Sequence, residues 1–592
     1  MKRAGRLGRP ATIALALVVT LVTLPGAAGA FPVEQGGARL EMLGFHDLGG
    51  NGLNGDVWLH HGVAYVGTSA EDSDRLRGCP GTGVKIVDLN DPTKPAPIGH
   101  LAQHPGTSAE VFRVRAVETP TFRGDLLAVG LQACRPDGMR GLEVWDVTDP
   151  RTPQQLSFFE VIPAEADLTG GVHELDLVQR TDGRILALLT VPLSEARHPA
   201  HLGDLRIVEV TDPRAPRPLA TWGARAELGL ENDQGQGIDL LVRGHGVHAS
   251  VDGLRAYASY WDAGVVILDL ADPAAPRLVG RTGFLSDEEG NAHSVNLAQD
   301  GRVMVEADEV LVVDRRLMQI DVPSNLAGTV LAGGALPAPP WEDTTTVTAD
   351  LVYLGRGCPA GDWTSELGPA ARLEVADQYT GDPRGRIALF DRGLCPIAAK
   401  LERARAEGAG GAVVINTSNR PFAPFSGSRP LGARGISRTD GERLKAELAD
   451  GRSVRVTLAG DLVEYQDFGG LRFWDIADPT RPLQIGTYRT ARSRVDRAAG
   501  PAAAGLFTAH NPIVHGDLLF VSWYSDGVRV VDIQDPAAPR ELAAWLPPAR
   551  AMPNAVRSSF VEGPLTWGIA VEGDLVVASE MQSGLYVLHL VR

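Results

Sequence analysis

An Asp-Pro turn recurs along this 592-residue chain: the pattern Asp/Glu-x-x-Asp-Pro-x-x-Pro occurs at 88–95, 146–153, 209–216, 269–276, 475–482 and 532–539. Each copy follows a short alternating apolar run, such as Val84-Lys85-Ile86-Val87 or Leu142-Glu143-Val144-Trp145. The Asp carboxylate accepts from nearby backbone N–H groups. Pro fixes φ and cannot continue a ladder, so each copy reads as a strand ending in a tight turn. The Asp before Pro falls at 91, 149, 212, 272, 478 and 535, giving gaps of 58, 63, 60, 206 and 57 residues. A steady period with one long interruption predicts an array of like units with an insertion in one of them.

Such a unit has room for four short strands, as at 248–251, 256–260, 264–270 and 277–283. Four strands per radial unit is the signature of a propeller. Seven units are counted, and the last (568–571, 575–579, 584–588) stops before any Asp-Pro turn or fourth strand. Segment 38–45 looks like that missing strand, and its closure of the ring removes exposed sheet edges. The expected fold is therefore mainly β, a seven-bladed β-propeller closed by the N-terminal strand. Copies such as Gly83-Val84-Lys85-Ile86-Val87-Asp88-Leu89 and Gly264-Val265-Val266-Ile267-Leu268-Asp269-Leu270 resemble the LVIVD repeat family of bacterial and archaeal surface and secreted proteins. The resemblance implies a propeller in an extracytoplasmic protein and no defined activity.

Residues 315–465 carry no such turn and interrupt the fifth unit between its second and third strands. Within them, 385–390 reads as a buried strand. Segment 396–407 has helical spacing, with Ile397, Leu401 and Ala404 on one face, and 412–416 reads as a second strand, so the whole is a βαβ unit. Gly385-Arg386-Ile387-Ala388-Leu389, Arg392-Gly393-Leu394-Cys395, Lys400 and Gly408-Ala409-Gly410 resemble the protease-associated (PA) domain. Gly435-Ile436-Ser437 and a helix at 442–448 fit its C-terminal half, while the stretch near Trp341 and the loop 418–430 depart from it. The resemblance implies a small α/β lid or interaction domain without catalytic residues of its own. The predicted layout is a signal peptide at 1–30, blades one to five (first part) at 31–314, the inserted PA domain at 315–465, and the rest of blade five with blades six and seven at 466–592.

Lys2, Arg3, Arg6 and Arg9 precede an apolar run from Ile13 to Leu24 and a small-residue site, Ala28-Gly29-Ala30. This predicts export with cleavage after Ala30 and a secreted, extracellular protein, the run being too short to span a bilayer. No membrane span is expected after its removal. The net charge of −17 argues against nucleic acid as a partner. Export permits disulfides. Four cysteines (Cys79, Cys134, Cys358, Cys395) allow three pairings. The repeat favours Cys79–Cys134, joining equivalent points of two neighbouring blades, and leaves Cys358–Cys395 to pin the loop before the insert's helix.

No Gly-x-Ser-x-Gly elbow or His-Glu-x-x-His helix is present, so no peptidase is expected. The histidines are the better lead. His173, His248, His293 and His510 precede or begin the first strands of blades three to six, where first strands line the channel. Imidazoles at one level of a channel suit a transition metal ion, with His245 three residues before His248 able to join them. Glu306, Asp308 and Glu110 are possible carboxylate ligands or supporting groups. A repeated brace to the neighbouring blade is the competing reading of these histidines. Two functions follow. One is a non-enzymatic secreted binding protein for an extracellular protein, peptide or cell-wall component. The other is a secreted metalloenzyme with the metal in the histidine ring.

Overall fold

A computed structural model describes residues 37–592, except 51–52, 70–80, 164–169, 237–239, 286–287, 289, 334–345, 366–367, 421–430 and 551–562. The signal peptide, Cys79, Trp341 and most of the loop at 418–430 lie outside the described residues.

The repeat builds one blade per copy. Its two acids form consecutive side-chain turns. In blade four, Asp269 Oδ1 accepts from Ala271 N at 2.8 Å and Asp272 Oδ1 from Ala274 N at 3.0 Å. In blade five, Asp475 and Asp478 do the same to Ala477 N and Thr480 N at 2.9 and 3.1 Å. The chain is thereby reversed between the third and fourth strands. Blade four runs through strands Gly244–Ala249, Arg255–Tyr260, Gly264–Asp269 and Arg277–Arg281, all antiparallel. Seven such sheets form the propeller, blade two carrying two further short strands, Thr107–Ser108 and Gly170–Gly171. Strand Arg39–His46 pairs antiparallel with Gly584–Val591, Leu40 opposite Leu590, and so supplies the outer strand of blade seven.

The cores lie between blades. Leu142 and Val144 of blade two pack with Leu175 and Leu189 of blade three, and Leu188 and Ile207 of blade three with Val247 and Ala258 of blade four. A fourth-strand glycine lets the next blade's turn approach. A Cβ on Gly280 would lie 2.1 Å from Pro479 O, on Gly486 2.2 Å from Pro536 O, and on Gly44 2.3 Å from Pro92 O. The closing strand thus meets blade one as the other outer strands meet their neighbours.

Blade five is split. Its second strand, Val303–Asp308, pairs directly with Leu471–Asp475, and the insert leaves and returns on a stem in which Asp314 opposes Tyr465 and Arg316 opposes Val463. The insert's sheet runs from Ala433–Ile436 through Gly411–Ile415, Ile387–Asp391, Thr346–Tyr353, Arg455–Ala459 and Asp314–Val322 to Gly328–Leu331. The first three of these are parallel, as a βαβ unit requires, with helix Ile397–Ala406 between Ile387–Asp391 and Gly411–Ile415. Ser437 Oγ caps helix Arg438–Ala449 by accepting from Asp440 N. Cys358 and Cys395 are joined. Lys400 is buried and donates to Gly393 O at 3.0 Å, which holds the loop that carries Cys395. Cys134 is disulfide-bonded, its expected partner Cys79 lying outside the described residues. Among the described residues no helix is long and apolar enough to cross a membrane.

Candidate metal centre at the channel

Strand register identifies equivalent positions around the ring. Val57, Phe112, Leu175, Val247, Val295, Pro512 and Ile569 each oppose the same position of the second strand. Two residues before them stand Gly55, Glu110, His173, His245, His293, His510 and Trp567. Blades three to six therefore present an imidazole at one position. The rings touch in an arc: His173 to His245 with centroids 4.3 Å apart, His245 to His293 at 4.2 Å, His293 to His510 at 4.4 Å, and His510 to Trp567 at 4.4 Å.

Two expected ligands are not in this arc. His248 lies one position past the strand residue Val247, at the level of Asp176 in blade three, and its Nδ1 is 3.4 Å from Asp176 Oδ2. The cause is register. Val247 opposes Ala258 as Leu175 opposes Leu189, so His245 takes the place that His173 takes in blade three, although Gly246-Val247-His248 imitates Gly171-Val172-His173 in sequence. Glu306 faces away, opposite Arg472 in the ladder, and Asp308 Oδ2 accepts from Arg472 Nε at 2.7 Å. That guanidinium holds Asp308, while Thr282 Oγ1 donates to Glu306 Oε2 at 3.5 Å. Glu110 occupies the ring position of blade two and is buried.

The carboxylate that does reach the imidazoles is Glu309, the residue after strand Val303–Asp308. Glu309 Oε2 lies 3.7 Å from His293 Nε2, and one donor atom each of His245, His293 and Glu309 falls within 4.8 Å of the others. All three are buried. Tyr524 Oη donates to Glu309. Val310, Val313 and Phe468, at the root of the insert, pack with Phe507, Tyr524 and Trp567, so the PA domain rises from the face that holds the cluster.

The electrostatics keep these rings neutral. Burial holds His173 and His510 down to about 3, and pushes His245 and His293 well below the usual imidazole range, neighbouring rings adding to it for His173, His245 and His293. Burial raises Glu309 to about 7, against the Tyr524 hydrogen bond. Neutral imidazoles have a lone pair to give. His173 Nε2 and His245 Nε2 share one hydrogen bond at 2.8 Å, and the Gln132 amide pairs with His173 Nδ1 at 3.1 Å. His510 Nδ1 donates to Trp567 O at 2.8 Å. His245 Nδ1 and His293 Nδ1 close no hydrogen bond of good geometry, although the His510 backbone lies within hydrogen-bonding reach of the His293 ring. A buried carboxylate 3.7 Å from His293 Nε2, with a His245 donor atom within 4.8 Å of both residues, fits a transition metal ion. His245 and His293 would then be ligands with Glu309, and His173 with Gln132 would orient His245 from behind.

Two family models match the chain: the PA domain model at residues 347–444 and the LVIVD repeat model at residues 244–282. The chain is thus a seven-bladed propeller that carries an LVIVD repeat and an inserted PA domain. No curated protein matches it. Among solved structures, an aminopeptidase from Aneurinibacillus sp. strain AM-1 is 22% identical over 29% of this chain and 37% of that one, with a TM-score of 0.16. This chain therefore spans well under half of that aminopeptidase. A hypothetical selenium-binding protein from Sulfolobus tokodaii is 12% identical over 44% and 58%, with a TM-score of 0.31. The β-propeller domain of Cps50 (Swd1) from Myceliophteria thermophila is 9% identical over 92% and 98%, with a TM-score of 0.39. Similarity at this level says nothing about activity.

Proposed function

We propose that the protein is a secreted binding protein whose propeller holds a transition metal ion at His245, His293 and Glu309, and whose PA domain is an interaction module beside that site. One observation carries the proposal: one donor atom each of His245, His293 and Glu309 converges within 4.8 Å in a buried site. The partner of the PA domain on this reading is an extracellular protein, peptide or cell-wall component. A second reading, a secreted metalloenzyme, is favoured by the size of the donor set: three protein ligands leave a coordination position for water or substrate. The metal would supply Lewis acidity or redox chemistry. His173 would fix the orientation of His245, and Tyr524 that of Glu309.

Elemental analysis of the purified mature protein beside His245→Ala/His293→Ala and His248→Ala tests both readings. The expected result is one equivalent of copper, zinc, iron or nickel at the channel, lost in the double variant and kept in His248→Ala. Wild-type protein that takes up no metal dependent on His245 and His293, even after reconstitution, would overturn both readings and turn the search to partners of the PA domain.

A further inference from the structure

The rim opposite the histidine arc carries a second group of metal-type donors. Strand Asn54–His60 of blade one starts at the level of the arc, at Gly55, and ends at His60 on the far rim. His60 pairs with Val63, leaving His61-Gly62 as the two-residue turn to the second strand. Asp125 lies near the start of strand Arg123–Ala133, at the corresponding turn of blade two. His60 Nε2 is 3.0 Å from Asp125 Oδ1. The His60 and His61 rings are 4.0 Å apart and inclined at 51°. One donor atom from each of His60, His61 and Asp125 falls within 4.8 Å of the other two.

Two observations make this more than an ion pair. His60 Nε2 is shielded from solvent, yet despite its closeness to Asp125 it closes no hydrogen bond of good geometry. A ring nitrogen facing a carboxylate at that distance, without a shared proton in line, suits two ligands of one ion. The turn itself is the second. His61 has φ +51°, in the left-handed region, where blades six and seven use Gly516 (φ +61°) and Gly573 (φ +64°) in the same turn. A side chain there costs conformational energy that glycine avoids, and such strain collects where a side chain has a task.

The geometry points to a divalent transition-metal site formed by His60, His61 and Asp125, with Zn2+ the best-matched ion, bridging blades one and two. Two imidazole nitrogens and one carboxylate oxygen are a borderline donor set, and three protein ligands leave the fourth position to water or an exogenous ligand. The ligands come from two different blades, so the ion is bound by the folded ring and not by the unfolded chain, and stabilises the former. This site is independent of the channel reading.

The test is titration of the mature full-length protein with Zn2+ by calorimetry, thermal melting with and without Zn2+, and Co2+ absorption as a coordination reporter. Wild type is compared with His61→Gly, Asp125→Asn and the channel variant His245→Ala/His293→Ala. Glycine suits the backbone at position 61, so metal-free His61→Gly melts at or above the wild-type temperature. The expected result is that His61→Gly and Asp125→Asn each weaken one class of Zn2+ site by about tenfold or more. Each also abolishes the Zn2+-dependent rise in melting temperature that belongs to that site. The channel variant retains the site with its Co2+ bands. If both rim variants keep wild-type affinity and stoichiometry, or the channel variant binds no Zn2+, the proposal is overturned and His60 and Asp125 are an ion pair only. Either result leaves the channel reading to be judged on its own variants.

Discussion

Lys85 shows how far a single residue can be pushed by its blade. It is 3% exposed, and its Nζ donates to Asn54 Oδ1 at 3.1 Å, Thr68 Oγ1 at 3.2 Å and Gly67 O at 3.3 Å, all neutral acceptors. Burial lowers it to about 7. The unfolded chain keeps this proton up to the ordinary lysine value of about 10.4, whereas the folded one releases it near neutrality. Between those values the unfolded state binds more protons, so this group makes stability rise with pH by about 1.4 kcal/mol per unit. Urea denaturation of wild type and Lys85→Met at pH 7 and pH 9 checks this: wild type should gain about 2 kcal/mol relative to the variant at the higher pH. An unchanged difference would show that the ammonium is not held in an apolar setting. At this scale the sequence was legible only in part. A histidine near the start of the first strands of blades three to six could be read, but choosing His245 over His248 required the register of blade four's first hairpin, in which Val247 opposes Ala258. Glu309 was passed over for Glu306 and Asp308. Yet it stands at the repeat position that holds Trp261 in blade four and Tyr524 in blade six, one residue beyond Tyr260 and Trp523. Aligning the ends of second strands, and not only the starts of first strands, would have found it.

The element that repeats, strand, Asp-Pro turn, strand, was the most legible feature because its chemistry is local. Two carboxylates capping two turns need nothing from the rest of the chain. What the turn does to its neighbour is not local. Its Pro carbonyl sits where a Cβ would be on Gly44, Gly280 and Gly486 of the preceding blade, and in blade two Ser157 Oγ instead donates to Pro213 O at 2.6 Å. Blade one is looser, since a Cβ on Gly99 would be 3.9 Å from Pro150 O. The two glycines therefore predict opposite outcomes for one substitution. Gly486→Ala should cost about 1–3 kcal/mol by forcing blades five and six apart. Gly99→Ala should be neutral or stabilising by up to about 1 kcal/mol, through the entropy of the unfolded chain. Chemical denaturation of the pair is the measurement. Equal effects would mean that the turn does not set the spacing between blades.

The whole molecule consists of a propeller and an insert joined by a stem of two strands. Met318, Ile320, Leu351, Ile387, Val413, Ile436 and Val456 pack together inside the insert, none of them against a blade core. Blade five is complete without it, because Met304 opposes Trp474 across the split. The root is different: Val310, Val313 and Phe468 belong to the apolar layer over the histidine arc, so a cut must fall beyond them. Arg316 opposes Val463, and joining these two by Asn-Gly in place of residues 317–462 would turn the stem into a two-residue hairpin. Among the described residues the link lost elsewhere is slight, Asn419 N donating to Asp233 Oδ2 at 3.0 Å across to the loop after blade three. The shortened chain should therefore fold as a closed propeller with one cooperative calorimetric transition. The full chain should show a further transition that moves to lower temperature when Cys358–Cys395 is reduced, since that bridge lies wholly within the insert. A shortened chain without a cooperative transition would mean that the insert is part of the propeller's own core. If instead it folds and keeps the metal bound by wild type, the ion belongs to the ring, and the PA domain acts on what approaches it.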